Sequence, residues 1–249
     1  MAEEFKDQDL SGARFETVDL NGAVFRNVDM SGVRIIGAYM SGVDITGDFD
    51  DVRMNGVDVA PLIEAELDRR EPDRRKMRPT DADGFREGWA VIERLWPETV
   101  ERARALPPEL LHERVDEEWS FIETLRHLVF ATDAWVLRAV LGDPSPYDAL
   151  DLPHDEMGDI PGVPNDRDAR PTLDEVLVLR ADRMRIVGEV IAGLTDEALA
   201  GVTEPVLETG YPASESFPVK RCLGAILNEE WLHRQFAERD LDVLQHTRL

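Results

Sequence analysis

"EWSFIETLRHLVFATDAW" occupies residues 118–135. Its apolar spacing predicts a strong helix from about Ser120 to Leu141. His127 follows Glu123 by four residues, so both side chains leave the helix on one face, and Ala131 and Trp135 continue that face at the same spacing. A second stretch, "NEEWLHRQFAERDL" at 228–241, lies in the last predicted helix, from near Pro218 to about Leu241. There Glu229 precedes His233 by four positions and Glu230 precedes it by three. Taken singly, either Glu/His pair usually reads as a solvated surface pair or as a satisfied core histidine. On two facing helices the pairs have the spacing from which bundle interiors build metal sites. One histidine from one helix and a Glu-x-x-x-His pair from another make three ligands and leave a position open, the mark of a catalytic rather than a structural centre.

Two more helices complete a four-helix pattern. Residues 81–106 carry Phe85, Trp89, Ile92, Leu95 and Trp96 on one stripe, with Pro97 marking a kink or a break. Thr172, with Glu175 three places on, is a capping box that opens a helix running to about Gly193. Between the second and third helices lies a Pro-, Asp- and Gly-rich stretch at 142–171, the length of a binding loop or lid. Upstream, "PLIEAELDRREPD" is a short helix stopped by Pro72, within a helical linker over 61–80.

Residues 9–59 keep a different beat. Large apolar residues recur every fifth position, at Leu10, Phe15, Leu20, Phe25, Met30, Ile35, Met40 and Ile45, and glycine follows two places after most of them. Period five fits neither helix nor strand, but suits a coil that turns a corner at each repeat, with the large side chain inside.

The chain has 249 residues, 43% hydrophobic, with a formal net charge of −24. That length buries a core, and the charge repels nucleic acid and anionic membranes. The most basic run, "RREPDRRKMR" at 69–78, is interrupted by Glu71 and Asp73 and reads as linker. No apolar run reaches a membrane span, the first ten residues are acidic where a signal peptide is basic and then apolar, and a lone Cys222 fits a reducing compartment. The expected location is cytoplasmic. Only Lys6, Lys76 and Lys220 are lysines among 28 basic residues, a bias typical of GC-rich genomes.

Two resemblances follow from the quoted motifs. "VDLNG", "VDMSG" and "VDITG" resemble the pentapeptide-repeat family, which implies a short right-handed β-helix of about four repeats per coil over residues 1–60. Residues 81–249, through the 118–135 and 228–241 stretches, resemble the DinB-like superfamily, a metal-binding four-helix fold that includes mycothiol-dependent maleylpyruvate isomerase and related thiol S-transferases. The expected fold class is therefore mostly α with a small β part. In that family a histidine of the second helix and a His-x-x-x-His of the last hold a divalent ion. Carried across, the ligands are His127, Glu229 and His233, with Glu229 standing where the family pattern has a histidine. Glu123 and Glu230 are then expected beside the ligands as their hydrogen-bond partners.

The resemblance implies a metal-dependent thiol S-transferase or isomerase. The ion is zinc by first choice, with nickel, iron or manganese as alternatives. The partners are a low-molecular-weight thiol of the mycothiol type and a small electrophile, with no nucleic acid and no membrane. The competing reading is a non-catalytic binding protein whose repeat domain packs on the bundle or makes a homo-oligomer, its metal site empty or structural. Acidity is spread along the chain and the repeats are few, which argues against mimicry of duplex DNA. Cys222 reads as a buried inert thiol, His154 as a loop residue able to cover the site, and His112 and His246 as without a role.

Overall fold

A computed structural model describes residues 3–47 and 49–246. They divide into two compact units, one before Phe49 and one from Phe49 onward.

In the first unit the backbone enters the left-handed region at every fifth residue: Asp7, Gly12, Thr17, Gly22, Asn27, Gly32, Gly37 and Gly42. Glycine is favoured at these corners because it has no Cβ to clash there. Three corners are closed by N–H groups of Ala13, Ala23 and Val33 donating to the carbonyls of Leu10, Leu20 and Met30, at 2.9–3.0 Å. Asp9, Asp19 and Asp29 reinforce them by accepting from the backbone N–H of Ser11, Asn21 and Ser31, so the repeated Asp-x-(Ser/Asn) is turn chemistry. The large side chains, expected inside, are 43–63% exposed from Leu10 to Ile45, and no strand pairing occurs among the described residues of this unit. Without strand pairing, no adjoining layer of chain covers these side chains among the described residues.

The second unit begins with a hairpin, β1 (Arg53–Met54) and β2 (Val57–Asp58), around Asn55 and Gly56. Both turn residues have positive φ, as a type I′ turn requires. Residues 53–58, within the stretch 9–59 read as repeats, are thus a hairpin of the second unit, which begins at Phe49. α1 (Ala60–Arg70) is followed by a 3-10 turn, Pro72–Met77. The basic run around it is neutralised locally: Arg74 pairs with Glu64 at 2.7 Å, and Arg78 with Asp68 at 2.6 Å.

α2 (Ala82–Arg104) starts at Asp81, whose carboxylate accepts from Gly84 N–H, and buries Phe85, Trp89, Ile92 and Trp96 of the predicted stripe, with Leu95 half-buried beside them. It runs unbroken through Pro97, so of the expected kink or break the break does not occur. Proline forfeits one helical hydrogen bond, at about 3 kcal/mol, while Trp96, Thr99 and Ala103 on either side of it are buried and hold the helix in place. α3 (Phe121–Thr132) is buried along its whole length and passes directly into a π-helical turn, Asp133–Arg138. α4 (Leu173–Ala192) has the predicted capping box of Thr172 and Glu175. A one-turn helix α5 (Asp196–Leu199) precedes α6 (Val219–His246), which extends beyond the expected end at Leu241.

α2 and α3 each pack on both α4 and α6, closing a four-helix ring around one core. Gly88 of α2 sits where a Cβ would lie 2.6 Å from the Lys76 carbonyl, so the bare backbone permits the 3-10 turn to lie against the helix. No described helix is long and apolar enough to cross a membrane.

Candidate metal centre

His127 projects from α3, and Glu229 and His233 from α6. One ligand atom from each lies within 4.8 Å of the others. Glu229 Oε2 stands 3.4 Å from His127 Nε2 and 3.0 Å from His233 Nε2. The His127 side chain is 8% exposed, His233 17% and Glu229 31%, so one side of the cluster reaches solvent.

The orientation of His127 is fixed from behind. Its Nδ1 lies 3.0 Å from the Leu152 carbonyl. A carbonyl only accepts, so Nδ1 carries the proton and Nε2 turns a lone pair toward Glu229. The His127 lone pair and Glu229 Oε2 then face each other across 3.4 Å, a pair of donor atoms that a cation would bridge. A proton on His127 is a poor choice: burial, reinforced by the neighbouring His233, pushes its pKa down against the pull of Glu229. Burial alone would raise the Glu229 carboxyl, but the two imidazoles beside it outweigh burial and hold the group well below the usual carboxylate range. Two imidazole nitrogens and an ionised carboxylate oxygen are a donor set that suits zinc, and also non-haem iron. The residues present fit a divalent ion.

Aromatic rings wall the cluster. Trp119 stacks on His233 at 5.8 Å and lies 4.5 Å from the His127 ring, Phe130 flanks His127 at 6.1 Å, and Phe236 flanks His233 at 5.9 Å. Tyr211 meets Phe130 at 5.7 Å and His154 at 5.8 Å. Burial, and then the Glu229 charge, push the Tyr211 phenol up, so it keeps its proton. Two fully buried arginines secure the loops that carry these groups. Arg126 donates to the carbonyls of Leu150 at 2.8 Å and Asp166 at 2.6 Å. Arg138 donates to those of Pro144 at 3.0 Å, Pro212 at 3.3 Å and Glu208. Gly210 leaves room for this: a Cβ there would lie 2.7 Å from the Arg138 guanidinium carbon and 2.8 Å from the Tyr147 hydroxyl.

The structure gives the other two acidic candidates different partners. Glu123 completes the capping box of α3 with Ser120 and binds Arg114 through both oxygens, at 3.0 and 2.7 Å. One helical turn separates it from His127 along the axis, about 6 Å, and its charge is spent there. Glu230, one residue round the helix from Glu229, grips Arg180 at 2.6 and 2.7 Å in the core. Cys222 is buried beside Ala139 and Phe217, its thiol pushed up to about 11 by burial, as expected of an inert cysteine. His154 lies on the loop beside Tyr211, 3.4 Å from Glu156. The groups not singled out from sequence are the Leu152 carbonyl, Trp119, Tyr211 and the anchoring arginines. A backbone acceptor 25 residues from His127 has no side-chain signature. Trp119, already inside the quoted stretch, offered only its aromatic character as a signal.

Residues 9–47 match eight copies of the pentapeptide repeat, and residues 92–237 match the DinB superfamily. No curated protein and no solved structure matches the chain. With that match covering more than half of its length, on a ring of four long helices, the chain belongs to the DinB superfamily and carries pentapeptide repeats ahead of the DinB domain.

Proposed function

We propose that the bundle holds one divalent ion on His127, Glu229 and His233, zinc by first choice, and serves a metal-dependent transfer of a small thiol to an electrophile, or a thiol-assisted isomerisation. The observation that carries this reading is the convergence of two imidazoles and a carboxylate, with ligand atoms within 4.8 Å, on a histidine already oriented by the Leu152 carbonyl. When bound, such an ion lowers the pKa of a coordinated thiol and so supplies a nucleophilic thiolate. The chain's own residues do the rest. The Leu152 carbonyl keeps the His127 lone pair aimed at the ion. Glu229, in place of a neutral imidazole, lowers the charge of the centre by one. Trp119, Phe130 and Phe236 exclude water from the flanks, and the Tyr211 hydroxyl offers a proton-bearing hydrogen-bond donor to a ligand. The test is a cobalt-substituted chain mixed with a low-molecular-weight thiol. A thiolate-to-cobalt absorption in the near ultraviolet, absent from Glu229→Ala, is expected. Bound cobalt whose spectrum ignores the thiol removes the transferase reading and leaves the metal site.

A second reading assigns the repeat unit an interaction role, favoured by the half-exposed ladder from Leu10 to Ile45. Packing of this exposed ladder, Phe25 included, on a second copy of the chain covers its apolar side chains. Light scattering of the full chain is then expected to give a dimer that Phe25→Asp dissociates. A monomer at every concentration rules out self-association.

A further inference from the structure

Asp133, the first residue of the π-helical turn, and Asp151, in the long loop, are both fully buried. Arg183 of α4 grips Asp133 through both oxygens, at 2.7 and 2.8 Å, and also touches Asp182 at 3.1 Å. Asp151 has no such partner. Neither of its carboxyl oxygens receives a donor from the described protein groups, and the side chain it meets is the Asp133 carboxyl. Asp148 adds a further negative charge nearby. The Tyr147 phenol and, beyond it, Arg138 complete the charged and titratable surroundings. One guanidinium, already committed to Asp133, faces two buried carboxyls. Two ionised carboxylates in contact do not coexist in such a place, so the pair retains a proton. The residue after Asp151 is Leu152, whose carbonyl accepts from His127 Nδ1.

We propose that Asp151 is a positioning residue: it shares one proton with Asp133, and that proton fastens the 143–171 loop to the end of α3 and keeps the Leu152 carbonyl on His127. Burial and the Asp133 charge push the Asp151 carboxyl up to about 9, and Asp133, also raised by burial, is the member that Arg183 keeps ionised. When the loop opens, Asp151 meets water and returns to an ordinary pKa of about 4. The closed form therefore binds one more proton than the open form between about pH 4 and 9. Rising pH favours opening throughout that window, with no further effect outside it. The fastening acts whether or not an ion occupies the cluster, so it stands apart from the metal reading.

The test is amide hydrogen exchange in full-length wild type and Asp151→Asn between pH 5 and 8, corrected for the intrinsic rate. It follows the Asp151 and Met157 amides, which donate inside the loop to Asp148 and His154. In wild type the opening equilibrium rises about tenfold per pH unit, the signature of one linked proton. Asparagine donates to Asp133 from an amide that cannot ionise, so Asp151→Asn remains protected and its opening is flat with pH. Asp151→Ala opens readily even at pH 5. A flat wild-type profile, or the same slope in the Asn variant, overturns the proposal. The wild-type slope and the Ala variant decide the matter if the Asn variant does not fold.

Discussion

Glu230→Ala is expected to lower the unfolding free energy of the bundle by about 3–5 kcal/mol, read from urea denaturation. The Arg180–Glu230 pair is bidentate and its side chains are 4% and 1% exposed. Arg180 also lies over the Trp96 ring at 5.2 Å. Truncating the acid leaves a guanidinium in the core with no counter-ion and no water to take its place, and that uncompensated charge is the source of the cost. The pair itself contributes far less, because two ions had to be dehydrated to form it. The double variant Arg180→Met/Glu230→Leu, which fills the same space with apolar atoms, is therefore expected to come within about 1 kcal/mol of wild type or above it. A loss under about 1 kcal/mol for Glu230→Ala contradicts this assignment of the pair as a buried strut between α4 and α6.

The helices were legible because their causes are local. The stripe from Phe85 to Trp96, the Thr172–Glu175 box and the four-residue spacing of Glu229 and His233 are each written within a few turns of chain and reappear in the structure, whereas His127, on another helix, joined them only through the family resemblance. What escaped the sequence depends on distant partners. Glu123 and Glu230 stand four and three residues before His127 and His233, spacings as suited to a shared ion as that of Glu229, but Arg114 and Arg180 claim them. The helix continues through Pro97 because packing on both sides outweighs one lost hydrogen bond. The long loop was recognisable by composition. Its attachment through Arg126, Asp151 and Leu152 was not, because carbonyl acceptors carry no side-chain code and a protonated aspartate is spelled like any other. In the repeats the corners were readable from glycine, whereas the exposure of the large side chains was not, because burial depends on what packs against them and not on the beat itself.

The second large effect concerns the metal. Each of the three ligand side chains supplies one donor, and removal of any one leaves two, too few to hold a divalent ion against water at a centre that is partly open to solvent. His127→Ala also frees the Leu152 carbonyl, so its loss is expected to be at least as complete as that of His233→Ala, despite the greater exposure of His233. Arg180→Met/Glu230→Leu serves as the control, because it removes an acidic residue adjacent to Glu229 without touching the cluster.

The direct measurement is elemental analysis of the full chain purified without a metal-affinity tag, for wild type, His127→Ala, Glu229→Ala, His233→Ala and the Arg180→Met/Glu230→Leu control. About one divalent ion per chain in wild type and the control, and almost none in the three ligand variants, is the expected result. A wild-type chain that carries no ion and takes up none from added zinc, nickel, iron or manganese, or a His127→Ala chain that keeps its full complement, contradicts the account.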